Sequence, residues 1–346
     1  MIPNEELKRR IWDHINNLTK PIGSLGELER IAAKLALIHG SVKPRYLVKK
    51  RVYVFVGDHG VVEEGVSAYP KEVTKEMVYN FLRGGAAINV FARHVEAEVF
   101  VVDAGVDAEF EPHPFLIIKK VERGTNNFTK GPAMTPKQAE LSVEYGRQIA
   151  SACLKDHVDI AVVGDMGIGN TTTATAMAVA MGIPMEEVLD IGTVIDSAGL
   201  EKKRRAVLRA IELNRPDPND PMDILTKVGS YCFGEMTGFM LEMTERGKPV
   251  VIDGFPTTAA ACIAHMIEPD LSAYLFAGHK SAVKGHAVLL ERLGLKPILD
   301  LDMRLGEGTG GVLALSIIEA AVKMANEMAT FQSAGVSKGN EIPGEK

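Results

Sequence analysis

The chain has 346 residues, of which 46% are hydrophobic and 24% are charged, and its formal net charge at pH 7 is −6. An acidic balance of this kind argues against a general binder of nucleic acid or of anionic membranes. The cysteines Cys153, Cys232 and Cys262 are widely spaced and form no CxxC pair, so we expect neither a disulfide framework nor a zinc site.

Two features of the sequence bear on where the protein resides. The N-terminal stretch MIPNEELKRRIWDHINN is charged and polar, which is not typical of a signal peptide. No uninterrupted apolar run reaches about 18 residues, the length of a membrane-spanning helix. We therefore expect a cytoplasmic protein without a membrane segment.

The two ends of the chain have helical patterns. In GSLGELERIAAKLALIHG, Ser24 is followed three residues later by Glu27, and this spacing predicts a capping box that opens a helix. We expect residues 1–45 to form the helical part of a small domain. Residues 306–331, a loop followed by a long helix, are expected to join this domain. Residues 332–346 are predicted to be a flexible tail.

Residues 46–305 repeat one pattern: a short β-branched run, a loop containing Asp or Gly, and usually an apolar helix. The pattern occurs in VYVFVGDHG (52–60), VFVVDAGVD (99–107), IAVVGDMGIGN (160–170), PVVIDGFPTTAAACIA (249–264), AYLFAGHKS (273–281) and KPILDLDMRLGEGTGG (296–311). Strands that are apolar on both faces indicate a parallel sheet covered by helices. We therefore predict an α/β domain whose ligand crevice lies at the carboxyl ends of the strands, where these polar clusters fall.

The stretch GDMGIGNTTTATA, residues 164–176, predicts a phosphate site after a strand. Backbone N–H groups of residues 167–170 and the hydroxyls of Thr171 and Thr172 can cradle an anion at a helix N-terminus. No lysine precedes the threonines, so this is not a Walker loop. The alternative is a tight turn followed by a helix with Asn170 as its N-cap.

The stretch RLGEGTGG, residues 304–311, predicts a catalytic carboxylate. Glu307 stands between Gly306 and Gly308, immediately before a long apolar helix, and the glycines leave its carboxylate unshielded. Desolvation under a ligand would raise the pKa of Glu307 toward that of a general base. The alternative is that Glu307 only caps the helix that begins near Thr309.

Other polar residues have two interpretations each. Asp253 is either a ligand contact or a helix cap. His59, His279 and His286 could suggest a metal-dependent hydrolase, but no HExxH-type spacing is present, so we expect structural histidines and no metal.

Taken together, these stretches resemble the family of nicotinate-nucleotide–dimethylbenzimidazole phosphoribosyltransferases, which make the lower-ligand nucleotide of cobamides. The resemblance covers nearly the whole chain to about Phe331. It is carried by LTKPIGSLGELE, GDHGVVEEGVSAYPKEVTKEMVYNFLRGGAAINVFAR, VVDAGVD, GDMGIGNTTTATA and HKSAVKGHAVLLERLGLKPILDLDMRLGEGTGG.

The resemblance implies transfer of a 5-phosphoribosyl group from nicotinate mononucleotide to 5,6-dimethylbenzimidazole, with anomeric inversion. It further implies a Rossmann-like fold, a homodimer, and no metal or other cofactor. Glu307 would be the general base. The nucleotide and its phosphate would be bound by Asp165, Gly167, Ile168, Gly169, Asn170, Thr171, Thr172 and Lys202, with Lys203 as the alternative lysine. The base would be bound by Ser67, Tyr69, Met77 and Leu305.

Several positions depart from the pattern of this family. Asp165 stands where glutamate is usual, Val194 where glycine is usual, and Pro256 is an unusual residue at a helix start. VGSYCFGEMTG also differs from the Gly-Gly-x-Glu stretch of the family. A variant that uses another base or donor therefore stays open.

Two functions outside the family also stay open. One is a phosphoribosyl-diphosphate-dependent transferase, although the adjacent acidic pair usual in that class is missing. The other is a nucleotide-binding subunit that is inactive without a partner, which has no need of a carboxylate placed as in RLGEGTGG.

Overall fold

The computed structural model describes residues 5–190 and 197–337. Within them, seven parallel strands form one sheet in the order β3-β2-β1-β4-β5-β6-β7. The strands are β1 Lys50–Gly57, β2 Glu98–Gly105, β3 Leu116–Ile118, β4 Ile160–Met166, β5 Val250–Ile252, β6 Leu275–Lys280 and β7 Pro297–Asp300. The predicted parallel α/β fold is confirmed, and the one strand not predicted is the three-residue edge strand β3.

Helices precede, connect and follow the strands along the chain. They are α1 Glu5–Asn16, α2 Glu27–Ile38, α3 Glu72–Leu82, α4 Ala87–His94, α5 Pro136–Lys155, α6 Asn170–Ala180, α7 Met185–Val188, α8 Ser197–Asn214, α9 Pro221–Val228, α10 Tyr231–Glu245, α11 Phe255–Ile267, α12 Gly285–Arg292, α13 Thr309–Glu327 and α14 Phe331–Ala334. The described residues also form two short 3-10 helices, Gly60–Glu64 and Pro269–Tyr274. Among these described helices, none has the length and apolar character that crossing a bilayer requires.

The sheet and helix α10 form the centre of the core. All eight residues of β1 are buried, as expected for a strand with helices on both faces. The ring of Phe239 on α10 lies 4.8 Å from that of Tyr53 and 5.7 Å from that of Phe55. Gly238 lets α10 pack closely on α5, because a Cβ at Gly238 would clash with the carbonyl oxygen of Val143. Helix α10 therefore packs on both β1 and α5.

The chain divides into two compact units, Met1–Leu47 with Ser316–Lys346, and Val48–Leu315. Residues 306–315 thus fall in the larger unit, whereas the sequence assigned them to the small domain. The first residues of the predicted tail belong to the short helix α14, which begins at Phe331 and is capped by the Thr330 hydroxyl. The remainder of that tail, residues 338–346, lies outside the described residues.

The capping box predicted at Ser24 is wrong. Helix α2 begins at Glu27 after Gly26, whose φ is 52°, and Ser24 lies in the preceding turn. Glu29 accepts the backbone N–H of Leu25 at 2.9 Å and pairs with the Lys20 ammonium at 2.8 Å. Glu29, which is buried together with Lys20, thus supplies the carboxylate acceptor in this turn that the predicted capping box would have taken from Glu27.

The strand order locates the ligand crevice. The chain runs outward from β1 to β2 and β3, then returns to the other side of β1 at β4. In parallel sheets, ligands bind beyond the carboxyl ends of the strands at such a switch point. The loops that follow β1 and β4 contain His59 and the glycine-rich stretch after Asp165.

Candidate active site

Five strands bring polar residues to one edge of the sheet. His59 follows β1, Asp165 is the penultimate residue of β4, and Asp253 follows β5. His279 lies near the end of β6, and Glu307 comes seven residues after β7. All five side chains are buried. Residues predicted separately as a phosphate loop and as a catalytic carboxylate therefore lie at the same edge of the sheet.

The backbone at Glu307 is held in an unusual conformation. Its φ is 64°, a left-handed conformation that is costly for a residue with a side chain, and the flanking Gly306 and Gly308 have φ of 88° and 92°. The N–H of Glu307 donates to the carbonyl oxygen of Asp165 at 3.2 Å. A Cβ at Gly164 would clash with the carbonyl of Glu307, so only glycine permits this close approach. The loop is thereby docked on β4.

The carboxylate of Glu307 faces a different helix from the one it precedes. Its Oε2 accepts the backbone N–H of Ile88, in the first turn of α4, at 3.3 Å. The side chain is buried, with 6% of the residue exposed. Burial raises the pKa of Glu307 to about 7, and the negative charge of Asp253 adds to this, while the Ile88 hydrogen bond opposes it. Glu307 thus has the protonation behaviour expected of a general base near neutral pH.

Asp253 caps α13 in place of Glu307. Its Oδ2 accepts the N–H of Gly308 at 3.0 Å, and its Oδ1 accepts those of Gly310 and Gly311 at 2.8 and 3.0 Å. Helix N-termini leave such N–H groups without intrahelical partners, and a carboxylate satisfies them. Asp253 thus caps α13 and not α11, the helix that directly follows it, whose N-cap is Gly254. The capping alternative for Glu307 does not occur in this geometry.

Some backbone N–H groups of the glycine-rich loop already donate to other protein atoms. The N–H of Ile168 donates to the Thr74 hydroxyl at 3.1 Å, and that of Asn170 donates to the carbonyl of Gly167 at 3.0 Å. Among the described residues, the N–H groups of Gly167 and Gly169 and the buried Thr172 hydroxyl have no hydrogen-bond partner. These three groups are therefore donors that the described protein leaves unused.

Asn170 has a role that the sequence did not suggest. Helix α6 begins at Asn170 itself, and its N-cap is Gly169 with a φ of 94°, so the predicted cap at Asn170 is wrong. The Asn170 amide nitrogen instead donates to Oδ1 of Asp165 at 2.6 Å. The Asn170 amide oxygen accepts the N–H of Thr171 at 2.7 Å. Asn170 thereby connects Asp165 to the half-buried Thr171 at the start of α6.

Asp165 lies in a cluster with His59 and Cys232. The Cys232 sulfur is 3.9 Å from Oδ2 of Asp165 and 3.8 Å from Nε2 of His59. Burial raises the pKa of Asp165 to about 7 and that of the Cys232 thiol well above its usual range, so the thiol is a donor. Burial lowers the pKa of His59 to about 3, so this ring is neutral, and its Nδ1 lies 2.9 Å from the Thr173 hydroxyl.

Within residues 5–190 and 197–337, these three side chains are the one group whose potential metal-ligand atoms lie close enough together to hold an ion. The atoms all lie within 4.8 Å of one another. This group differs from the three histidines considered from the sequence. His286 is used structurally: its Nδ1 accepts the N–H of Ser281 at 2.8 Å, and its Nε2 lies 2.9 Å from the Thr258 hydroxyl. A site that joins His59, His279 and His286 is therefore not supported.

The residues predicted to bind the base lie on nearby surface segments. Ser67 accepts the N–H of Tyr69 at 3.1 Å, which shapes the loop before α3. Met77 lies one turn after Thr74 on α3, the helix that contacts the glycine-rich loop. Tyr69 and Leu305 are 50% and 53% exposed, so both present apolar surface.

The two candidate lysines differ in environment. Lys202 is exposed and extends along Gly65, in the loop that leads to Ser67. Lys203 is buried, its ammonium donates to the carbonyl of Asp190 at 3.1 Å, and burial lowers its pKa to about 8. Lys202 is thus the one of the two that can reach a ligand from the surface.

Two positions that depart from the family pattern lie elsewhere. Pro256 occupies the first turn of α11, where its missing N–H costs nothing, and Val194 lies outside the described residues.

Comparison with known proteins agrees with this architecture. A family model described as a phosphoribosyltransferase matches residues 2–336. The nicotinate-nucleotide–dimethylbenzimidazole phosphoribosyltransferase of Geobacter sulfurreducens is 49% identical over 336 residues, which cover 97% of this chain and 95% of the relative. The enzyme of the same name from Geotalea uraniireducens is 50% identical over 326 residues, covering 94% of this chain and 92% of the relative.

A solved structure extends the similarity to the fold. The crystal structure of nicotinate-nucleotide–dimethylbenzimidazole phosphoribosyltransferase from Thermus thermophilus matches with a TM-score of 0.92 at 47% identity, covering 97% of this chain and 100% of that chain. The match in sequence and fold thus spans nearly the whole chain. The chain belongs to the nicotinate-nucleotide–dimethylbenzimidazole phosphoribosyltransferase family.

Proposed function

We propose that this protein transfers the 5-phosphoribosyl group of nicotinate mononucleotide to 5,6-dimethylbenzimidazole, giving nicotinate and α-ribazole 5′-phosphate. The observation that carries the proposal is the Glu307 carboxyl group, buried at the strand ends with its pKa raised to about 7. A carboxylate of this kind is suited to take a proton from an azole at neutral pH. Membership of the family supplies the substrate class.

The proposed reaction uses a general base, and its leaving group is activated without a metal ion. In nicotinate mononucleotide, C1′ of the ribose is bonded to a positively charged pyridinium nitrogen, so nicotinate leaves with the bonding electron pair and becomes neutral at that nitrogen. One azole nitrogen forms the new bond to C1′ from the opposite face, which inverts the configuration. Glu307 then takes the proton from the other azole nitrogen. Its negative charge also stabilises the positive charge that develops on the ribose and the azole.

The 5′-phosphate of the nucleotide would bind at the N-terminus of α6. The free N–H groups of Gly167 and Gly169 and the Thr172 hydroxyl are donors there, and a helix N-terminus favours an anion. Asp165, held by Asn170 at the end of β4, would lie beside the ribose. Lys202 adds positive charge from the adjoining surface.

The flat aromatic base would bind against Ser67, Tyr69, Met77 and Leu305. The exposed side chains of Tyr69 and Leu305 offer the apolar area that a benzimidazole requires. We further propose that the protein acts in the cytoplasm as a homodimer, as the family resemblance implies. Light scattering on the purified protein measures the mass of the assembly and tests the dimer.

The test of the activity uses chelator-treated wild-type protein with nicotinate mononucleotide and 5,6-dimethylbenzimidazole. Chromatography follows nicotinate and the riboside phosphate, and the NMR coupling of the anomeric proton reports the configuration. We expect equal amounts of nicotinate and the α-riboside phosphate without added metal. Nucleotide binding without product, for any azole tried, would contradict the proposal. Product formed only with Mg²⁺ and phosphoribosyl diphosphate would support the rival transferase class.

A further inference from the structure

We propose that Asp253 is the positioning residue for Glu307, holding the loop of residues 306–311 so that the Glu307 carboxylate faces the N-terminus of α4. The proposal rests on the proposed function, because it assigns Asp253 a role through the general base of that reaction. Asp253 itself is fully buried, so we assign it no contact with substrate.

Three hydrogen bonds give Asp253 control of this loop. Both of its carboxylate oxygens are used, one by the N–H of Gly308 and the other by those of Gly310 and Gly311. Gly308 is the residue immediately after Glu307, so the direction of the Glu307 side chain depends on a peptide unit that Asp253 holds. A shift of about 1 Å at a reacting group can lower a rate about 100-fold.

Asp253 is itself held in place from two sides. Its own backbone N–H donates to the Thr257 hydroxyl in the first turn of α11, at 3.0 Å. Nε2 of His279, on β6, lies 3.4 Å from its Oδ1. Gly310 packs on the His279 ring so closely that a Cβ there would clash with it. The loop thus packs against both the Asp253 carboxylate and the buried His279 ring, and this packing restricts where Glu307 can move.

The charge of Asp253 also acts on Glu307. A second carboxylate nearby disfavours ionisation of the first, and Asp253 contributes to the raised pKa of Glu307 in this way. The other titratable groups around this pair are Asp165 on β4, whose pKa Asp253 also raises, and His279 on β6. The Glu307 side chain meets α4 through the backbone N–H of Ile88. Asp253 therefore affects both the position and the protonation of the base.

The test compares Asp253→Asn with Asp103→Asn. Asp103 is a matched control: it is also a buried aspartate at a strand end that accepts a backbone N–H, from Val106 at 2.9 Å, and it lies outside the proposed site. For Asp253→Asn we expect kcat to fall about 10- to 100-fold, with the KM for nicotinate mononucleotide changed less than about twofold. We also expect the acidic limb of the pH–rate profile to move to lower pH. Asp103→Asn should leave kcat and the acidic limb unchanged.

Hydrogen exchange supplies a readout that does not depend on activity. The amides of Gly308, Gly310 and Gly311 should exchange faster in Asp253→Asn than in the wild type and in Asp103→Asn. Should Asp253→Asn fail to fold, Asp253→Ser removes the charge but keeps one hydroxyl acceptor, and the same changes in kcat, acidic limb and exchange are expected.

The outcomes separate this proposal from the proposed function. An active wild type with unchanged kcat and unchanged acidic limb in the folded Asp253 variants would overturn the role of Asp253 alone. A wild type without transferase activity would overturn the proposed function instead. In that case, unchanged exchange of the three glycine amides in the variants would also overturn the control of the loop by Asp253.

Discussion

The Glu307 carboxylate accepts a hydrogen bond from the backbone N–H of Ile88 at 3.3 Å, although Glu307 lies two residues before α13 and Ile88 is in α4. The positive end of the α4 dipole therefore stabilises the ionised form, while burial and Asp253 disfavour it. Burial is the largest of these effects, and the pKa of Glu307 rises to about 7 as a result. Glu307 can thus change protonation state in the pH range in which enzymes usually work.

The pH dependence of turnover follows from this pKa. Glu307 must be deprotonated to accept a proton, so kcat should rise about tenfold per pH unit below a midpoint near 7 and level off above it. Rates from about pH 5.5 to 9 at constant ionic strength, with saturating substrates, measure this limb. Because the pKa of Asp165 is also raised to about 7, the profile of Asp165→Asn is the control, and the limb should persist in it. A limb that disappears in Asp165→Asn would assign it to Asp165.

The same pKa predicts that Glu307 destabilises the folded protein at alkaline pH. Its folded pKa, about 7, exceeds the ordinary value of 4.5, so the folded state binds this proton more tightly than the unfolded state. That contribution to stability is fully present below about pH 4.5 and is lost as pH rises through 7. At about pH 8, Glu307→Gln should therefore raise the free energy of unfolding by about 1–3 kcal/mol, and at about pH 4.5 it should not. Denaturant titrations at the two pH values measure the difference, and an equal change at both would contradict the shifted pKa.

Gly164→Ala tests the docking of the Glu307 loop on β4. A Cβ at Gly164 would clash with the carbonyl of Glu307, so the loop must move away from the strand. We expect kcat to fall at least about 10-fold and the unfolding free energy to fall by about 1–3 kcal/mol. Gly57→Ala on β1 is the control, because its Cβ would have ordinary contacts of 3.6 Å with Cys232 and 3.8 Å with Gly105. Wild-type kinetics in Gly164→Ala would show that the contact does not position Glu307.

Thr172→Val tests the phosphate site. The Thr172 hydroxyl is buried and, in the described part of the chain, without a hydrogen-bond partner, so valine should preserve packing and remove a donor for the phosphate. We expect nicotinate mononucleotide to bind about 5- to 30-fold more weakly, while the stability of the free protein stays the same or rises. Thr175→Val, one turn further along α6, is the control, since that hydroxyl donates to the Thr171 carbonyl. Equal nucleotide affinity in Thr172→Val and the wild type would remove Thr172 from the phosphate site.

The sequence predicted the sheet because most of its strands are short, continuous apolar runs that end at a loop containing Asp or Gly. Six of the seven strands overlap the runs quoted for them, and the exception, β3, has only three residues and carries almost no sequence signal. The helix start at Ser24 was wrong for a different reason. Gly26 is the N-cap of this helix, and Glu29 accepts the Leu25 N–H and pairs with Lys20; local spacing does not reveal such contacts.

The sequence indicated candidate residues for the site, but it did not reveal the contacts between them. Glycines around Glu307 indicated an exposed backbone and an available carboxylate. The helix that Glu307 faces, by contrast, depends on the packing of α4, which lies far away in the chain. Likewise, nothing in the sequence around Cys232 indicated that its thiol lies beside His59 and Asp165, since the three residues come from separate elements. Contacts between distant segments are set by the assembled sheet.

The most direct test of the central claim is the single-turnover rate of Glu307→Gln at about pH 8 with saturating nicotinate mononucleotide and 5,6-dimethylbenzimidazole. Glutamine keeps the size of the side chain and an acceptor for the Ile88 N–H, but it cannot take the azole proton. We expect the rate to fall about 10²- to 10⁴-fold, while nucleotide binding, measured by calorimetry, stays within about twofold of the wild type. A rate equal to that of the wild type would contradict the assignment of Glu307 as the general base.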